Sequence, residues 1–243
     1  MSLVVSVYVP SGIVMAADSR MSALLSGKRQ DGEQQETVQQ QIVLSDSAYK
    51  VVALPSVGAG VSLYDSAVIN NQPADSHLHA FAEQELSEED DVVTVADRFL
   101  AYFQEKFPNV NLGFHVAGYR VEDRASVPYV LVGHTTREPK VRRVNATEQG
   151  RVQYGVVRAG DVLVANRLID KDRLPLFAAM PLQDAIDYAI HLIRTTIDTL
   201  RFEPRYPSVG GPIDVLIVTP DGMEWVQRKE LTGEDQAIIT SGL

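Results

Sequence analysis

The chain opens on Leu3-Val4-Val5-Ser6-Val7-Tyr8-Val9, a nearly unbroken β-branched run that predicts a strand. Pro10-Ser11-Gly12 supplies a turn, because proline presets φ and glycine tolerates positive φ. Ile13–Ala17 then predicts a second strand, with Asp18-Ser19-Arg20 at its end. The two strands make a hairpin with an acidic residue near its mouth. Residues 26–41 change character: they are polar, glutamine-rich and nearly without apolar positions, and read as a surface insertion, a loop or a long hairpin tip. Tyr49–Leu54 and Val57–Ser62 predict a further strand pair.

Helical spacing takes over next. One helix is expected over about 74–86. Ser87-Glu88-Glu89-Asp90 resembles a capping box, and after it Val92, Val95, Ala96, Phe99, Tyr102 and Phe103 recur at helical spacing. Acidic side chains in a first turn suit the helix dipole, so this run is read as a helix start and not as a metal site. Strands are expected at about 110–120, 126–134 and 138–145, and a short helix within 158–169. Pro181 opens a strong helix whose apolar face is Leu182, Ala185, Ile186, Ala189, Ile193 and Ile197, and Pro204 marks its end. Ile213–Val218 and Met223–Arg228 pair across the turn Asp221-Gly222. Hairpins dominate and no βαβ unit repeats. The pattern predicts antiparallel sheets with helices packed outside them, in one domain spanning residues 1–243.

Composition narrows the chemistry. The 243 residues contain no cysteine, which removes disulfides, thiolate metal sites, iron–sulfur clusters and a cysteine nucleophile together. Lys and Arg number 22 against 32 Asp and Glu, a net charge of −10, which disfavours nucleic acid and anionic membranes as partners. No apolar run approaches the roughly 18 residues of a membrane helix. The first residues lack a basic stretch of the kind that begins a signal peptide, so a soluble, cytoplasmic setting is expected. No G-x-G-x-x-G, P-loop or G-x-S-x-G motif occurs. His77 and His79 are two apart and do not share a helix face. His115, His134 and His191 are scattered and read as structural. No cofactor and no metal are expected.

Gly12-Ile13-Val14-Met15-Ala16-Ala17-Asp18-Ser19-Arg20 resembles the G-V-V-x-A-A-D-S-R signature of proteasome β-type subunits. Ser208-Val209-Gly210-Gly211-Pro212-Ile213-Asp214 resembles the S-V-G-x-P-I-D stretch of the bacterial proteasome-related proteins called Anbu. The resemblance implies a mixed α/β (α+β) N-terminal nucleophile hydrolase fold, a four-layer αββα sandwich of two antiparallel sheets. It also implies a homo-oligomeric ring acting on a peptide or small amide substrate. Whether a partner ATPase feeds such a ring is left open.

In that family the nucleophile is the first residue of the mature chain, and its own α-amine is the base. The position that aligns is Ser2, sixteen residues before Asp18. Removal of Met1 frees its amine; the alternative is that Ser2 is only a permissive second residue. Asp18 is expected to orient a cation, and Lys50 to pair with Asp18 and lower the nucleophile's proton affinity. Gly60, in Gly58-Ala59-Gly60, is a candidate donor to an oxyanion. Two departures stand out. Tyr154–Gly160 lacks the family's turn serine, and Val209 replaces the usual serine of D-x-x-S-G-G, with Ser208 one residue earlier. Asp198 is a candidate replacement or a helix-end residue. These departures keep a second reading open, an inactive structural subunit of a proteasome-like ring.

Overall fold

The computed structural model describes residues 2–31, 34–138, 140–170 and 172–230. β1 (Leu3–Val9) and β2 (Gly12–Asp18) form the expected hairpin, and every position of both is buried. The continuous apolar run has a physical cause: both faces of these strands are covered. Leu3, Val5, Val7 and Val9 face one apolar cluster, while Val4 and Tyr8 face another. Each such side chain contributes roughly 1.5–3 kcal/mol by leaving water.

β3 (Met21–Asp31) and β4 (Gln34–Ser45) pair only with each other, as a long two-stranded ribbon. Residues 26–41 fall in its outer part. β5 (Val51–Leu54) and β6 (Ala59–Asp65) follow, separated by a single 3-10 turn at Pro55–Val57, so the second strand starts two residues later than the apolar pattern predicts. β7 (Val68–Ile69) and β8 (Gln72–Pro73) form a small hairpin.

α1 (Ala74–Glu85) and α2 (Val92–Lys106) come next. The cap of α2 is Asp91, whose Oδ1 accepts from the N–H groups of Val93 and Thr94 at 3.1 and 2.8 Å. Ser87 therefore does not cap it, and its own N–H donates to Asp90. β9 (Leu112–Glu122) and β10 (Ala125–His134) form a long hairpin, and the strand expected at 138–145 shrinks to β11 (Arg142–Arg143). Residues 158–169 divide between β12 (Gly155–Gly160) and α3 (Leu163–Leu168). α4 (Leu182–Leu200) starts just after Pro181 and buries Ala185, Ile186, Ala189, Leu192 and Ile193. β13 (Ile213–Thr219) and β14 (Gly222–Gln227) close the described chain.

Two five-stranded antiparallel sheets result, in the orders β12-β1-β2-β13-β14 and β11-β10-β9-β6-β5. α3 and α4 share an apolar cluster with the first sheet. α1 and α2 share one with the second, built on Phe81, Phe99 and Phe114 in edge contacts of 5.3 and 4.6 Å. A third cluster, with Ile13, Met15, Ala117 and Leu216, joins the two sheets. Inside that layer Ser6 Oγ lies 3.0 Å from His115 Nδ1, and burial pushes the His115 imidazole down to about 4. No helix among the described residues is long and apolar enough to cross a membrane.

Candidate active site

Asp18 ends β2 beside the start of β1, and the residue is buried. It accepts four hydrogen bonds. Oδ1 takes the Leu3 N–H at 2.9 Å and the Lys50 ammonium at 2.7 Å. Oδ2 takes the N–H groups of Arg20 at 3.1 Å and Gly210 at 3.0 Å. All of the carboxylate's hydrogen-bonding capacity is met inside the protein, which offsets the cost of burying a polar group. One side chain thus ties together the first strand, the β2–β3 turn, the segment before β5 and the loop before β13. Arg20 strengthens the same junction: it grips Asp46 with two bonds of 2.7 Å and donates to the Pro207 carbonyl at 3.0 Å.

Lys50 is buried. Burial pulls its ammonium below the ordinary lysine range, Asp18 opposes that shift, and the charge of nearby Lys229 adds to it. A lysine in this state loses its proton more readily than one in water.

Ser2 is 2% exposed. Its carbonyl accepts from the Asp161 N–H at 2.6 Å, and the neighbouring Gly160 explains how that contact is possible. Gly160 has φ near +90°, and a Cβ there would lie 1.8 Å from the Ser2 oxygen. Only glycine allows this turn and this approach together. Ser2 and Lys50 line one cavity of about 10 Å³, with Ala48, Leu63 and Ser66. That volume holds about one water. Met1 lies outside the described residues.

Ser208 is fully buried and its hydroxyl donates to Asp161 Oδ2. Arg205 Nη1 reaches the same oxygen at 2.5 Å. Burial pushes the Asp161 carboxyl up, but the bonds from Arg205 and Ser208 outweigh it and hold the group below the ordinary carboxylate range. Asp161 therefore stands directly after the turn glycine, bound on its side chain by Arg205 and Ser208 and on its backbone to Ser2.

The structure thus brings Ser2, Asp18, Lys50 and Ser208 into one neighbourhood. Two candidates fall outside it. Asp198 lies on the exposed face of α4, and the carboxylate that Ser208 meets is Asp161. Gly60 lies inside β6 between β5 and β9, where a Cβ would sit 2.6 Å from Met15 Sδ. Close approach of the two sheets explains this glycine, and it does not line the cavity at Ser2.

A second buried ion pair escaped the sequence reading. Asp214, beside Ile213 that pairs with Asp18 in the sheet, accepts from both the backbone N–H and the ammonium of Lys229. The side chains are 2% and 3% exposed. The Asp in S-V-G-x-P-I-D was its only visible signal. Among the described residues no cluster of His, Asp and Glu is placed to hold a metal ion.

The sequence matches no family model and no curated protein. Among solved structures the chain is similar to the Anbu (Gly-1) mutant from Hyphomicrobium sp. strain MC1. The two are 16% identical over 98% of this chain and 90% of that one, with a TM-score of 0.61. That likeness shows the fold: this chain has the antiparallel, mixed α/β arrangement of the proteasome-like Anbu protein.

Proposed function

We propose that the protein is an N-terminal nucleophile hydrolase that cleaves a peptide or small amide bond through Ser2 after Met1 is removed. The observation that carries this reading is the shared oxygen of Asp18. It holds the Leu3 N–H, one residue from Ser2, and the Lys50 ammonium at once. A cation is thereby fixed beside the first residue of the processed chain.

The Ser2 hydroxyl attacks the amide carbonyl, and its proton passes to the freed Ser2 amine. The positive charge of Lys50 lowers the proton affinity of the hydroxyl. The carbonyl oxygen becomes an oxyanion, then the C–N bond breaks and the leaving amine takes the proton held by the Ser2 ammonium. The ester left on Ser2 is hydrolysed by water, with the same amine accepting the water's proton. Asp18 holds Lys50, while Asp161, Arg205 and Ser208 hold the Ser2 carbonyl in place. The layers of the fold read as αββα in one domain, and such a subunit works in a homo-oligomeric ring in the cytoplasm.

Intact mass of tag-free protein tests the reading. A chain beginning at Ser2 is expected, and Ser2→Ala abolishes turnover of acylated peptides. Turnover by a chain that retains Met1 refutes it.

The second reading, an inactive ring subunit, is favoured by one observation: the cavity at Ser2 holds about one water and no acyl group. It predicts a large assembly on sizing and no labelling by an electrophile such as an epoxyketone.

A further inference from the structure

A second cavity, of about 510 Å³, adjoins the one at Ser2. It lies between β5 and β14, the end strands of the two sheets. Tyr49 and Asp75 line both cavities, so the two are neighbours across one tyrosine. Its volume is in the range of about 300–1,000 Å³ typical of ligand sites.

The walls differ in character. Val52, Pro55 and Trp225 supply apolar surface, and Arg228 supplies charge. The Arg228 guanidinium stands 5.3 Å from the Tyr49 ring centre and 4.8 Å from that of Trp225. Among the described residues no carboxylate pairs with it. Its neighbour in sequence has the opposite fate: Lys229 is buried, neutralised by Asp214, and sits 4.1 Å over the same Tyr49 ring. Tyr49 is therefore fixed from one side by a neutralised cation, while Arg228 remains exposed over two aromatic faces. An exposed guanidinium without a carboxylate partner has free N–H donors, in a fork that matches a carboxylate. Asp75, at the junction with the Ser2 cavity, repels a second acid there and so orients an acidic ligand with its carboxylate outward.

We propose that this cleft binds the carboxylate-bearing part of a peptide substrate, with Arg228 holding the carboxylate and Tyr49 and Trp225 packing against an apolar or aromatic side chain. The peptide bond to be cut then lies past Tyr49, toward Ser2. Only this last placement rests on the hydrolase reading; binding in the cleft does not.

Trp225 is the one tryptophan of the chain, so its fluorescence reports on the cleft directly. Full-length protein is titrated with N-acetyl-Phe-Asp-amide and, in parallel, with N-acetyl-Phe-Asn-amide. A saturable change at Trp225 is expected, with the acidic peptide binding about tenfold or more tightly than the neutral one. Arg228→Gln removes that preference and leaves the melting temperature unchanged, since Arg228 is exposed. Equal affinity for the two peptides in the unaltered protein, or no fluorescence response to either, overturns the proposal. A response that emerges only after residues 231–243 are removed also overturns it, because the cleft then belongs to the chain's own end. Ser2→Ala separates the two readings. Fluorescence binding that persists with no peptide cleaved by the unaltered protein leaves the cleft standing and removes the hydrolase. Cleavage of both peptides at equal rate with no Trp225 preference does the reverse.

Discussion

The Lys50 ammonium lies 2.7 Å from Oδ1 of Asp18, with side chains 5% and 0% exposed. The partners are not equally dependent on each other. Asp18 has three backbone donors besides Lys50, whereas Lys50 has no other carboxylate at hydrogen-bond distance among the described residues. Asp18→Asn strands a buried charge and costs about 3–5 kcal/mol of stability. Lys50→Met leaves Asp18 with its backbone donors, so it is the milder change for folding and the more severe one for turnover. Urea unfolding of both variants, set beside their hydrolysis rates, checks this crossed pattern.

Gly160→Ala drives a Cβ into the Ser2 carbonyl and strains a backbone at φ near +90°. A loss of about 1–3 kcal/mol is expected from the backbone alone, with more from the clash. Thermal melting measures the loss. A variant as stable as the parent contradicts the turn described here.

His115 gives stability a pH dependence. Its imidazole is held near pKa 4 in the fold, against 6.5 in the unfolded chain. Between these values the unfolded state binds the extra proton, so stability falls as pH drops from about 6.5 to about 4 and levels off below. The total is about 3 kcal/mol. His115→Gln removes this slope from a plot of unfolding free energy against pH.

Asp161 adds an acid limb at lower pH. Its carboxyl is held below the usual range, so its contribution is complete above the unfolded value of 3.8 and is lost as pH falls through the folded one. Arg205→Met is expected to flatten the limb below about pH 4. Unfolding curves from pH 5 to pH 2 decide it.

Deleting residues 26–41 and closing the ribbon with a short turn is expected to change stability by less than about 1 kcal/mol. The strands concerned pair only with each other. Differential scanning calorimetry of the shortened chain is the measurement.

The fold was legible where burial is continuous. β1 and β2 announce themselves because both of their faces are covered, and α4 because a single apolar stripe faces the first sheet. Asp18 and Lys50 were legible through the motif around them. Asp161 and Arg205 were not, because they stand 44 residues apart and meet only through the turn at Gly160. Asp214 and Lys229 meet through the β13–β14 hairpin, and no spacing rule marks such a pair. Asp198 stands in the last turn of α4, as the helix-end alternative has it, off the stripe that holds Ala189, Ile193 and Leu200.

β1 is an inner strand, held on one side by β2 and on the other by β12, with Leu3 opposite Gly160. During synthesis the residues that seal Ser2 therefore do not yet exist. At about 5–20 residues per second, a ribosome needs roughly 10–30 s to reach residue 160. For that interval β1 has no partner on its β12 side, and the Met1 removal that the proposed function requires has to fall within it. On the proposed hydrolase reading, the topology thus sets an order: trimming first, burial second.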